Sequence, residues 1–128
     1  MSVVFDTSLL VDYLRGVPQA NAVFAEHPHR SITVMTWVEV MAASPERLRA
    51  QTRDFLRTFE RLAINEAIAD RALALMQRHR EIDMRYALPW ATAQVNSLIY
   101  ITSDFPKVSV RDASVRVPYK AAHVARAT

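Results

Sequence analysis

Short runs of β-branched and aromatic residues alternate along this chain with segments of helical period, and the first two runs lead into carboxylates. Val3-Val4-Phe5 is followed directly by Asp6, and Ser31-Ile32-Thr33-Val34 leads through Met35-Thr36-Trp37-Val38 into Glu39. A strand of three or four apolar residues is too short for an exposed hairpin and suits burial in the middle of a sheet. Strands separated by helices imply right-handed crossovers and a parallel sheet covered on both faces. The expected fold class is therefore α/β, a three-layer α/β/α sandwich around a central, mainly parallel sheet. Acids just past the carboxyl ends of such strands stand where open α/β sheets bind ligands, and oxygen donors gathered there suit a hard cation.

The elements follow from punctuation and period. After a first strand at 3–5, Thr7 or Ser8 is placed to cap a helix through Leu14. Gly16 and Pro18 close it, and residues 19–26 form a short second helix ahead of Pro28. A second strand at 31–34 runs into a helix through Ala43, in which Thr36 is the expected cap and Glu39 points back over the strand end. Ser44-Pro45-Glu46 starts another amphipathic helix, with proline at its first position and Leu48, Phe55, Leu56 and Phe59 as its apolar residues. A third strand at 62–64, a helix over 66–80 capped by Asn65, a helix over 90–96 and a fourth strand at 98–101 complete the pattern. Asp104 lies just past that last strand, and Asp12 is expected to face solvent.

Composition narrows the chemistry. With 128 residues, 51% of them hydrophobic, the chain supports one domain over residues 1–128. The long uncharged stretch beginning at Tyr86 carries Pro89, Thr92, Gln94, Asn96 and Ser97, too polar for a membrane span. Asp6 and Asp12 in the first dozen residues argue against a secretory leader, so a cytoplasmic location is expected. Absence of cysteine excludes disulfides and thiolate zinc sites, and any metal must be held by carboxylates or imidazoles. His27, His29, His79 and His123 lack metal-ligand spacing. Gly16 is the only glycine, which excludes glycine-rich phosphate loops. No serine sits in a nucleophile elbow.

Lys plus Arg outnumber Asp plus Glu by 16 to 13, for a formal charge of +3, and only Lys107 and Lys120 are lysines. Arginine forks suit phosphate. Arg47, Arg49, Arg53 and Arg57 share one helix and read as a solvated face beside a packing or dimerisation stripe, ahead of dedicated nucleic-acid contact. Lys107, Arg111, Arg116 and Lys120 form a basic region near the end of the chain, placed to meet RNA phosphates.

Several pieces, in order, resemble a known family: the opening Val4-Phe5-Asp6-Thr7-Ser8, the Thr36-Trp37-Val38-Glu39-Val40 segment, the Trp90-Ala91-Thr92-Ala93-Gln94 helix, the Asp104-Phe105-Pro106 turn and Arg116-Val117-Pro118-Tyr119. They resemble a PIN domain, specifically the VapC-like ribonuclease toxins of bacterial toxin-antitoxin pairs, over nearly the whole length. The resemblance implies carboxylates converging on magnesium, which manganese can replace, and hydrolysis of an RNA phosphodiester. Asp6, Glu39 and Asp104 are the implied catalytic acids and metal ligands, with Thr7 and Ser8 as auxiliary groups. A cognate antitoxin and a homodimer are implied as partners.

Two departures from that pattern stand out. The acid expected four residues before Trp90 is Tyr86, and a phenol with an ordinary pKa of about 10 is no hard-metal ligand at neutral pH. Asp83, one helical turn earlier, is the candidate substitute if the helix starts early, although Pro89 is expected to interrupt a helix from Asp83 to Asn96. The stretch Ile101-Thr102-Ser103-Asp104 is also shorter than in the family, so Asp104 can match either of two family acids. The rival reading is a degenerate relative kept for protein or RNA binding, with Trp37, Trp90 and the Phe55–Phe59 stripe packing against a partner.

Overall fold

The computed structural model describes residues 2–105 and 112–120. Pro106, Lys107, Arg111 and His123, singled out above, lie outside them. The described chain forms a five-stranded sheet in the order β3-β2-β1-β4-β5, with β1 Val3–Phe5, β2 Arg30–Thr33, β3 Glu60–Leu62, β4 Ile99–Ile101 and β5 Val115–Arg116. Every neighbouring pair is parallel, and in register Val4 faces Ser31 on one side and Tyr100 on the other. All three residues of β1 are wholly buried, as the run Val3-Val4-Phe5 requires.

Strand alternation divides the core into two layers. Val3 and Phe5 pack with Leu9, Leu10, Phe24, Ile32 and Phe59 on one face. Val4 points the other way, among Ile68, Leu75, Trp90 and Tyr100. The first layer is covered by α1 Thr7–Leu14, α2 Pro18–Glu26, α3 Val34–Ala43 and α4 Arg49–Leu56, the second by α5 Glu66–Arg78 and α6 Met84–Val95. Gly16 turns α1 into α2 at φ +78°, a conformation that glycine adopts without a Cβ penalty. The three-layer α/β/α arrangement is the one expected from the sequence, and its sheet is parallel throughout the described residues.

Several boundaries differ for identifiable reasons. β3 is Glu60–Leu62 rather than 62–64, because an edge strand tolerates exposed Glu60 and Arg61 that a buried strand would not. Pro45 precedes a 3₁₀ turn, Glu46–Leu48, instead of opening the α-helix itself. The Phe55–Phe59 stripe faces inward: Phe59 is buried, and Phe55 stacks on Tyr13 at 5.3 Å, which stacks on Phe24 at 4.2 Å. Trp90 is also completely buried, its indole N–H donating to Ser114 Oγ at 2.9 Å. Phe59 and Trp90 therefore serve the chain's own core, and Phe55 packs against it from a partly buried position.

The largest difference is α6, which starts six residues before Trp90 and runs through Pro89. Proline inside a helix removes the N–H that would meet the Arg85 carbonyl and costs about 3 kcal/mol or more. Burial offsets that cost. Ala87, Trp90, Ala91 and Ala93 are all wholly buried against the sheet and α5; the Trp90 ring contributes most, about 3 kcal/mol, and the small alanines let the helix approach the sheet closely.

Asn65 caps α5 as expected, its Oδ1 accepting from Ile68 N–H at 2.9 Å on an exposed surface. Replacing Asn65 by Ala is expected to lower stability by about 1 kcal/mol without touching any strand end. Chemical denaturation should show a lower midpoint with an unchanged slope.

Candidate active site

β1 lies between β2 and β4, and the chain crosses to opposite sides of it before and after β3, which makes the carboxyl end of β1 the switch point of the sheet. Asp6 leaves that end in extended backbone and caps α1, accepting the Ser8 N–H at 3.4 Å. The cap is thus Asp6 and not Thr7 or Ser8, because the residue still extended after the strand holds the N-cap geometry. For the same reason Thr33, not Thr36, caps α3, with Thr36 N–H donating to Thr33 Oγ1 at 3.2 Å.

A cleft of about 330 Å³ opens above these strand ends, and Asp6, Glu39 and Asp104 all line it with Thr7 and Ser8. Asp6 Oδ2 accepts from Ser8 Oγ at 2.8 Å and from Thr102 Oγ1 at 2.9 Å. Both hydroxyls and the Ser8 N–H meet the same oxygen, so Oδ1 carries none of these bonds. Glu39 Oε1 accepts from Thr7 Oγ1 at 3.0 Å, and that hydroxyl lies 2.9 Å from Thr36 Oγ1. Asp104 turns its N–H to Thr102 Oγ1 at 3.1 Å and accepts the Tyr86 hydroxyl at 3.4 Å. Each acid therefore has one oxygen fixed by a neutral donor.

Asp83 is not brought into this cleft. Its carboxylate caps α6 by accepting the Arg85 N–H at 2.9 Å and lies exposed, 3.8 Å from the Arg85 guanidinium. Asp12, by contrast, does not face solvent as its sequence context suggests, and is only 3% exposed. It lines the cleft and accepts from Ser103 Oγ at 3.2 Å and from the Tyr119 hydroxyl at 3.0 Å. A sequence signal exists: Asp12 follows Ser8 by four residues, one helical turn along the face that Ser8 presents to Asp6. Val11, Arg85, Tyr86 and Ser103 complete the lining, and Arg85 and Ser103 have no comparable signal.

Burial raises the Asp6 carboxyl above the usual carboxylate value, and the Ser8 and Thr102 hydroxyls only partly oppose it. Burial first, and then the Asp104 charge, raise the Tyr86 phenol, which stays protonated as a donor to Asp104. Tyr100 is wholly buried near Asp6, its phenol pushed well up by burial and by the Asp6 charge, and its hydroxyl faces the Asp6 and Thr102 side chains.

All side-chain donors here that can meet a cation are oxygens, a set suited to magnesium or manganese rather than zinc. No three carboxylates or imidazoles among the described residues stand close enough to make a ready metal cluster. The residues therefore fit an ion that keeps several waters and takes one or two carboxylates, as magnesium commonly does.

No protein-family model and no curated protein matches the chain. Solved structures do. A toxin-antitoxin complex from Klebsiella pneumoniae contains a chain 32% identical to this one, aligned over 92% of this chain and 98% of that one with a TM-score of 0.84. The chain belongs to the PIN-domain toxins of toxin-antitoxin pairs. VapBC-5 from Mycobacterium tuberculosis is 25% identical over 90% of this chain and 95% of that chain, with a TM-score of 0.59. DNA-bound VapBC from Salmonella typhimurium shares the fold at 16% identity and a TM-score of 0.71, covering 91% of this chain and 96% of that one.

Within this PIN-domain toxin Tyr86 stands where the resemblance implies an acid, and its surroundings are well defined. The ring is nearly buried, edge-on to Phe105 at 5.8 Å, with the Arg85 guanidinium 4.9 Å from its centroid. Where an acid is expected, the toxin has a neutral donor that holds Asp104.

The raised Asp6 pKa sets a stability test. Folding favours protonated Asp6, so its contribution is fully present below the unfolded Asp pKa of about 3.9 and is lost as pH rises through the higher folded value. Asn caps a helix as well as Asp. Without divalent ions, Asp6→Asn is expected to melt higher than the natural protein at neutral pH, with the difference shrinking as pH falls toward about 3.9. Thermal unfolding across pH, in chelator, checks this.

Proposed function

We propose that the chain is the toxin of a toxin-antitoxin pair and acts, as one PIN-like domain over residues 1–128, as a magnesium-dependent endoribonuclease. The observation that carries the reading is Asp6, buried at the carboxyl end of the central strand with one oxygen fixed by hydroxyls, in one cleft with Glu39 and Asp104. Asp6 and Glu39 would hold the ion, with Asp104 as the opposing acid and manganese as an alternative metal. When bound, the ion neutralises charge on the phosphodiester and lowers the pKa of a water at the reacting phosphorus.

The chain's own groups do the positioning. Ser8 and Thr102 hold Asp6 in one rotamer, and Thr7 does the same for Glu39, so that neither carboxylate must reorganise when a ligand arrives. Tyr86 donates to Asp104 and leaves its other oxygen for the cleft. Arg85, at the cleft wall, offers a planar fork to a phosphate oxygen. Asp12, Ser103 and Tyr119 tie the segment after β4 to α1 and so fix the position of Asp104.

A cognate antitoxin is the expected partner, since the 32%-identical Klebsiella chain was solved in a toxin-antitoxin complex, and a homodimer is the expected assembly. The second reading is a catalytically degenerate domain kept for binding protein or RNA. Tyr86 at an expected acidic position and the lack of a three-acid cluster among the described residues favour it.

Incubating the antitoxin-free protein with a pool of transfer and messenger RNA separates the two. Cleavage should require magnesium or manganese, stop in chelator, and fall on the order of 10²-fold or more in Asp6→Asn. No cleavage by the folded natural protein with either ion would remove the nuclease reading in favour of the second. Tyr86→Phe deletes only the hydroxyl beside Asp104, and its rate should remain within about tenfold of the natural protein, the lower end of what removing a hydrogen-bond partner of a metal ligand costs.

A further inference from the structure

The acid cleft alone is a poor seat for a polyanion, since four carboxylates and one guanidinium line it. A second cleft on the other flank of α3 has the opposite character. Trp37 from α3, Arg53 from α4, Arg57 just past it and Arg61 from β3 enclose it beside buried Leu56. The Arg61 and Arg53 guanidinium carbons stand 5.0 and 5.6 Å from the centroid of the Trp37 ring. Neither arginine has a carboxylate partner among the described residues, and Arg57 alone is ion-paired, to exposed Asp54 at 2.7 Å. The two unpaired guanidiniums, brought from different elements against one indole ring, repel one another unless an anion joins them.

The two clefts are linked by helix geometry. Trp37 and Glu39 are two positions apart on α3, about 200° around its axis, so they address opposite flanks across roughly 10–12 Å of helix. Val38, 54% exposed, forms the ridge between them. A nucleic-acid strand crossing that ridge spans the distance with a few nucleotides.

We propose that the Trp37, Arg53, Arg57 and Arg61 cleft is a second subsite for single-stranded RNA, its guanidinium forks binding backbone phosphates and its indole and guanidinium planes stacking a base. The proposal rests on the reading of RNA as the ligand of the acid cleft and places the neighbouring stretch of the same strand across α3. Arginine forks bind phosphate bidentately, and bases splayed from a single strand stack on aromatic or guanidinium planes. An acidic peptide would use the forks and leave the planes unused.

The test is fluorescence anisotropy of a labelled single-stranded RNA against the full chain in its Asp6→Asn form, with magnesium present so that the strand stays intact, over a series of salt concentrations. Arg53→Ala with Arg61→Ala is expected to weaken binding about tenfold or more and to reduce the salt slope by about 1.4, at about 0.7 for each single-strand phosphate that is no longer neutralised. Arg71→Ala with Arg78→Ala removes the same charge from exposed positions on α5 and should change neither quantity by more than about a third as much. Lysine at 53 and 61 should restore the slope and only part of the affinity, because the fork is missing. Equal losses from the two alanine pairs, or none from the first with its melting curve unchanged, would overturn the subsite. So would loss of binding to an acidic peptide with RNA binding intact. Cleavage by the natural protein is scored separately, so a failure of the nuclease reading remains distinguishable from a failure of this subsite.

Discussion

The Thr102 hydroxyl donates to Asp6 across the β1–β4 pair, joining residues 96 positions apart. Its position follows from register: Phe5 faces Ile101, so Asp6 and Thr102 are the next residues past the strand ends, and Asp6 N–H meets the Ile101 carbonyl at 2.9 Å. Strand pairing therefore delivers the hydroxyl to the carboxylate. The same hydroxyl accepts the Asp104 N–H, so one threonine orders two acids of the cleft. Remove the parallel pairing and Asp6, Asp104 and their shared donor separate together. Fold and site are one constraint here, which is why a strand of three residues is kept so completely buried.

That arrangement sets stability against readiness. A carboxylate taken out of water is disfavoured in its charged form, and neutral hydroxyls recover only part of its hydration. Asp6 accordingly keeps a raised pKa despite several donors. A divalent cation or a partner's cationic side chain entering the cleft would relieve this penalty. Binding free energy and folding free energy are thus coupled at Asp6, and a cation that binds there stabilises the fold as a whole.

What the sequence made legible was local. Asp6, Glu39 and Asp104 follow apolar strands, and Asn65 precedes a helical period, so strand ends, the α5 cap and the parallel architecture can be read from neighbours within one or two turns. Long-range burial cannot be read in that way. Pro89 looks like a helix stop because propensity is local, whereas the burial of Ala87, Trp90 and Ala91 that overrides it depends on α5 and the sheet. Asp12 looks solvated because its donors, Ser103 and Tyr119, lie 91 and 107 residues away. Arg61 is invisible as a companion of Trp37 because the apolar pattern puts the edge strand that carries it two residues too late.

The fate of Asp83 shows why a nearby acid does not replace a missing one. A helix that continues through Pro89 begins at Met84, and its exposed N–H groups need a cap; Asp83 meets that need and is carried to the outer end of α6. Three positions further, Tyr86 turns inward to the cleft, but a raised phenol pKa makes it a donor at neutral pH and never a ligand for a hard cation. Of the four carboxylates that line the cleft, Asp12 is held by the Ser103 and Tyr119 hydroxyls, and the other three would hold magnesium with several of the ion's own waters kept. Carboxylates in such number repel the phosphates of an approaching polyanion. Cations outside the acid cleft then matter more, and the arginines grouped around Trp37 are positioned, on the far flank of the helix that carries Glu39, to supply that attraction.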